Sequence, residues 1–267
     1  MKIWYQSMTT IASWPTYNAT LRKVLSSIAE STTQIEVHGI EKIGGVGTQY
    51  RYLEFLETQE VLENVEKATQ QGFDAFLIGN ICDPGLREAR EITDMPVIGL
   101  GETSCYIASL MGGNFSVVTG SPKLMPRIIE NFKRYGHTNI MHSALSMQMT
   151  RLVDLDLGFS DPILGKTLID QFLTEVDKAC EAGAEVIVPA VGVLMVLLAR
   201  EEIYSGGKMN IPIVNGVKAL VKMGEAAVQL RAAMGNNWTS RRCMYQQPPA
   251  SQLTEIRKYY GNVYSEL

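Results

Sequence analysis

The chain has 267 residues, a formal net charge of −4 and a pI near 5.5. Hydrophobic residues make up 46% and charged residues 19%, the balance of a folded globular chain long enough for two modest cores. This charge argues against a nucleic-acid partner, and the longest apolar stretch, residues 186–199, contains Pro189 and Gly192 and is too short for a membrane span.

In chain order, residues 2–7 read as a first strand. Residues 20–31 read as an amphipathic helix, with Leu21, Val24, Leu25 and Ile28 at helical spacing. A second strand covers 35–40, and Gly44-Gly45-Val46-Gly47-Thr48 is a flexible loop. A helix over 57–71 ends at Gly72, a common place for glycine. A buried strand over 74–79 follows, and Asp83-Pro84-Gly85 turns the chain into a helix through Arg90. Residues 97–100 form a fourth strand. The order then recurs: helix 103–111, strand 115–119, helix 122–135, strand 139–142, a loop over 154–161, helix 164–182, strand 185–190, a short helix and strand 211–214. A closing helix over 217–233 is expected to pack on the first unit. Everything from Gly235 onward, with Asn236-Asn237 and Pro248-Pro249, reads as a tail over the body or a neighbouring subunit.

The recurrence is also one of residues. Val65-Glu66-Lys67-Ala68-Thr69-Gln70-Gln71-Gly72 returns as Val176-Asp177-Lys178-Ala179-Cys180-Glu181-Ala182-Gly183, an offset of 111 residues. The segment from Lys2 matches that from Phe115, and Pro96-Val97-Ile98-Gly99 matches Pro212-Ile213-Val214-Asn215 at nearly the same offset. The expected fold is therefore α/β, with two pseudo-symmetric parallel-sheet units facing a central cleft. Residues 1–98 plus 213–234 would form the first unit, 99–212 the second, and 235–267 the tail. Ligands of open α/β sheets bind at the carboxyl ends of strands. Asn80 and Val191 end the paired strands, so the functional question narrows to them.

Other candidates follow from the same geometry. Thr119-Gly120-Ser121 and its repeat partner Gln6-Ser7 are strand-to-helix turns that would aim amides and hydroxyls at a carboxylate or cyclic imide, or simply cap helices. Thr48 is a third candidate of this kind, Thr103 and Ser104 could hold a small anion or cap a helix, and Gly192 follows Val191. Gly99-Leu100-Gly101-Glu102-Thr103-Ser104 lacks the last glycine of a dinucleotide fingerprint. The three histidines, His38, His137 and His142, are not spaced as a metal site. No cofactor and no metal are expected. Cys82, just beyond a strand end, is the thiol best placed for chemistry, and Cys105 could line the cleft. The absence of CxxC spacing and of a signal-peptide pattern suits a reducing cytoplasm. Trp4, Tyr5, Met8, Trp14, Tyr17 and Met195 suggest either a bulky ligand or ordinary core.

Val97-Ile98-Gly99-Leu100-Gly101-Glu102-Thr103, Ala108 through Thr119, Asp83-Pro84-Gly85-Leu86 and Ile211 through Val217 together resemble the aspartate/glutamate/hydantoin racemase superfamily, and within it the hydantoin racemase branch. The resemblance runs to about Met234. It implies a fold without cofactor or metal, and two cysteines facing each other across the cleft. One would take a proton from the carbon beside a carbonyl, and the other would return one to the opposite face. The family's first cysteine lies three residues before the Asp-Pro-Gly turn, where this chain has Asn80. Its second ends the equivalent strand, where this chain has Val191. Asparagine is no base at neutral pH and valine has no acid–base chemistry. Three readings follow: an enzyme moved toward ring opening, hydrolysis or decarboxylation of a small carboxylate or cyclic amide, with Asn80 and Thr119–Ser121 stabilising oxyanions; a racemase or isomerase using Cys82; or a non-catalytic binding protein. A homo-oligomer is expected.

Overall fold

The computed structural model describes residues 1–47, 49–149 and 154–264. Two parallel sheets organise the chain. The first has the order β2-β1-β3-β4, built from β1 (Lys2–Gln6), β2 (Gln34–His38), β3 (Ala75–Ile78) and β4 (Val97–Gly99). The second has the order β6-β5-β7, from β5 (Phe115–Thr119), β6 (Met141–Ser146) and β7 (Ile187–Ala190). A parallel bridge from Ile187 to Ile213 continues the second sheet where β4 stands in the first. The protein is thus α/β, with two pseudo-symmetric parallel-sheet units facing a central cleft. Every residue of β3, β5 and β7 is buried, as expected of central strands covered by helices on both faces.

The helices are α1 (Pro15–Ile28), α2 (Arg51–Gln70), α3 (Leu86–Ile92), α4 (Leu100–Met111), α5 (Met125–Arg134), α6 (Asp154–Ser160), α7 (Pro162–Glu181), α8 (Gly192–Arg200), α9 (Gly216–Ala233) and α10 (Ala250–Tyr260). Several differ from expectation. α1 starts at Pro15, whose fixed φ suits a first helical position. α2 begins at Arg51, a turn and a half before residue 57, without a side-chain cap. Residues 154–161, read as a loop, are largely α6; Asp156 on it accepts from the Tyr17 amide of α1 at 3.2 Å. The strand expected at 139–142 instead covers β6. Residues 211–214 do not form one strand. Ile211–Pro212 (β9) pairs antiparallel with Ser205–Gly206 (β8), and Ile213 then reaches the second sheet, where the Val214 amide donates to the Ile187 carbonyl. α9 packs on β3 and β4.

The tail is anchored chiefly by Arg241. Its guanidinium donates to the carbonyls of Arg90, Glu91 and Thr93 at 2.6–3.0 Å and pairs with Asp94. These are the orphan carbonyls at the end of α3. Gln247 donates to the Glu91 carbonyl at 2.8 Å, and Tyr264 donates to the Glu91 carboxylate at 2.6 Å.

Candidate active site

The carboxyl ends of β3 and β7 meet backbone to backbone. Gly79 follows β3, and a Cβ there would overlap the Tyr5 phenol. A Cβ built on Gly192 would stand 3.3 Å from the Gly79 carbonyl oxygen. Asn80 and Val191, the residues beside these glycines, line one cleft of about 60 Å³. That volume is well below the ~300 Å³ at which drug-sized pockets begin. A bulky ligand, one of the two readings of the aromatic and methionine residues, finds no room without movement. Met8, Trp14 and Tyr17 do line the cleft. Trp4, stacked on His38 at 3.4 Å, and the buried Tyr5 and Met195 belong to the surrounding packing.

The two walls differ in chemistry. The first unit supplies Ser7, Thr9, Trp14, Tyr17, Glu54, Glu57, Asn80 and Cys82. The second supplies Leu124, Val191, Gly192 and Val193. Among the described residues every titratable group of the lining lies on the first unit's side. Asn80 Oδ1 accepts from the Cys82 amide at 2.8 Å, so its loop uses the acceptor oxygen and not the Nδ2 hydrogens. Ser7 Oγ bonds Thr9 Oγ1 at 2.9 Å and engages the Tyr17 hydroxyl. The Trp14 indole Nε1 is buried without a hydrogen-bond partner.

Sequence reading missed the two carboxylates. Glu54, in the first turn of α2, is 6% exposed. It pairs with Arg127 of α5, and its charge acts on the Cys82 thiol. Burial pushes its carboxyl up to about 7, against the pull of Arg127. Glu57, one turn on, accepts from the Gly45 amide at 2.8 Å and is also raised by burial. Glu60 accepts from the amides of Glu41 and Lys42 at 2.7 and 2.9 Å. Glu57 and Glu60 thereby fasten the glycine loop beside the cleft. The available signal was the three-residue spacing of glutamates at 54, 57 and 60, which the structure buries on one face of α2.

The thiol candidate changes character. Cys82 lines the cleft, but burial first, and then the charge of Glu54, push its pKa up. Burial holds it as a thiol, not a ready thiolate. Cys105 is buried in α4, away from the cleft lining.

Other candidates lie outside the lining. Gln6 is buried, accepts from Trp4 and Asn64, and donates to the Ser7 and Gly39 carbonyls. Thr119 donates to the Ser121 carbonyl at 3.0 Å, and the Gly120 carbonyl accepts from Met149. Ser121 Oγ bonds Gln49. Thr103 and Ser104 sit inside α4 and neither caps it; Ser104 donates to the Leu100 carbonyl at 2.7 Å. Asp83 does the capping, accepting from the Gly101 and Glu102 amides at 2.8 Å and from Tyr135 at 2.7 Å. Glu102 pairs with Arg90. Thr48 lies outside the described residues. No group of three or more His, Cys, Asp or Glu among the described residues could hold a metal ion.

A second, larger cavity of about 390 Å³ lies behind this wall. Arg51, Arg87, Arg90, Arg127 and Arg134 line it, with Tyr245 of the tail at its rim. Cys82 borders both cavities.

A sheet pair of this order with a cleft at its strand ends defines a two-unit α/β enzyme fold. The Asp/Glu/Hydantoin racemase family model matches residues 8–224. A hydantoin racemase of Pseudomonas sp. (strain NS671) is 31% identical over 237 residues, covering 88% of each chain. An allantoin racemase structure from Klebsiella pneumoniae superposes with a TM-score of 0.76 at 24% identity, covering 92% of this chain and 93% of that one. An arylmalonate decarboxylase variant has the same fold at a TM-score of 0.56 and 13% identity, covering 86% of this chain and 94% of that one. The chain belongs to the Asp/Glu/hydantoin racemase family.

Proposed function

We propose that this family member is a cofactor-independent enzyme acting on a small carboxylate or cyclic amide by chemistry other than two-thiol racemisation: ring opening, hydrolysis or decarboxylation. One observation carries the reading. The two strand ends where the family's thiols are expected hold Asn80 and Val191, and both line the cleft. An inverting proton transfer needs an acid–base group on each side of the reacting carbon. The Val191 side, with Leu124 and Val193, offers none among the described residues.

The polar wall supports an oxygen-bearing ligand. The Asn80 amide and the unpartnered Trp14 N–H are donors suited to a carbonyl or carboxylate oxygen. The relatives named above carry hydantoin and allantoin in their names, and a cyclic amide is the corresponding ligand class here. We extend the reading to a homo-oligomer in the cytoplasm, consistent with the exposed Tyr52 and Phe55 on α2.

The test is a turnover panel. Small hydantoins, allantoin and substituted malonates are incubated with the protein, products are followed by NMR, and optical rotation is followed in parallel. Ring-opened or decarboxylated product without accelerated loss of rotation supports the reading. Rapid racemisation of a hydantoin or an amino acid overturns it.

A further inference from the structure

We propose that Glu54 is the proton-transfer group of this cleft and serves only the substrate face turned toward the first unit, so that hydrogen at a reactive carbon exchanges with retention of configuration. The inference deepens the proposed function and rests on its placement of the substrate between Asn80 and Val191.

The geometry behind it is a one-sided wall. Of the cleft's carboxylates, Glu57 is engaged by the Gly45 amide and holds the loop. Glu54 is held by Arg127, which lines the larger cavity, and still lines the cleft. A carboxylate fixed by a guanidinium keeps its aim, which favours proton transfer to or from carbon.

The step balances as follows. The Glu54 carboxylate takes the proton from the carbon beside the carbonyl. The C–H electron pair becomes the enolate double bond, and the carbonyl π pair moves to oxygen. That oxygen accepts hydrogen bonds from the Asn80 amide and the Trp14 indole. The Glu54 carboxylic acid then exchanges its proton with solvent. Glu54 then returns a proton to the same face, and the enolate collapses. Nothing is oxidised or reduced. Leu124, Val191 and Val193 have no proton to deliver to the other face.

Two measurements test this. First, enantiopure 5-methylhydantoin is incubated with the wild-type protein in D2O; deuterium at C5 is read by NMR and enantiomeric composition by chiral chromatography. Exchange at least tenfold faster than racemisation, after subtraction of the uncatalysed rates, is expected. Exchange and racemisation at equal rates, or no exchange above background, overturns the proposal. Second, Glu54→Gln is expected to lower the exchange rate ~10²–10⁴-fold, with Glu54→Asp recovering part of it. The wild-type profile should rise with pH through about 7, the value to which burial raises Glu54. Arg127, Arg51, Glu57 and Cys82 are the charged and titratable groups acting on it. Glu54→Gln should flatten that rise. Wild-type exchange in a folded Glu54→Gln variant, judged by circular dichroism, removes Glu54 from the chemistry. Racemisation that is abolished in Glu54→Gln would instead sustain Glu54 as the base and refute both its one-sidedness and the proposed function, so the two failures read differently.

Discussion

Asn80 lines the cleft with its side-chain carbonyl occupied by the Cys82 backbone, so its amide is the donor expected to meet a ligand. Asn80→Ala should lower kcat by ~10²–10³-fold, the usual cost of one oxyanion donor, while KM changes little. Cys82→Ser should be mild by comparison, since burial holds the thiol protonated. Steady-state kinetics of both variants on the natural substrate decide. A silent Asn80→Ala beside a dead Cys82→Ser would return the chemistry to sulfur. At this scale the sequence was legible in part. Asn80 and Val191 were found as repeat partners, because strand ends are marked by apolar runs. Glu54 was not, because the helix was expected to begin at 57 and no capping side chain announces its start at Arg51. A glutamate in a presumed loop carries no sign of burial.

Asp83 governs two elements at once. It adopts φ 48° in the turn before α3, and its carboxylate caps α4 while accepting from Tyr135. Asp83→Ala leaves buried amides at the start of α4 unpaired and should lower the unfolding free energy by about 2–4 kcal/mol, measured by urea denaturation. Asp83→Asn keeps the tolerance for positive φ and should cost less. Arg241 plays the matching part at the end of α3. Arg241→Ala removes the guanidinium from three carbonyls and should make the tail cleavable in limited proteolysis well before the body. Elements with strong periodicity or a terminal glycine were legible in sequence. α6 was not: seven residues, with Gly158 among them, give too short a pattern to separate from a loop.

At the scale of the whole molecule, the internal repeat carried the architecture: its offset of 111 residues fell across two sheets of matching strand order. The tail had no repeat partner, so its docking on α3 could not be read from pattern. Activity should survive dialysis against a chelator and require no added nicotinamide or flavin. Loss on chelation, restored by a divalent metal, would contradict that expectation. In the same assays free amino acids should not lose optical rotation at useful rates.

The close approach of Gly79 and Gly192 also sets a clock. Where two backbones touch, no side chain can swing aside to widen the space between them. We expect a cleft of about 60 Å³, pinched there, to admit a ring-sized ligand through movement of one unit relative to the other. Side-chain rotations take picoseconds to nanoseconds, whereas hinge motions of units take microseconds to milliseconds. Stopped-flow binding should therefore show an observed rate that levels off with ligand concentration at the frequency of opening, and that frequency should fall as solvent viscosity rises.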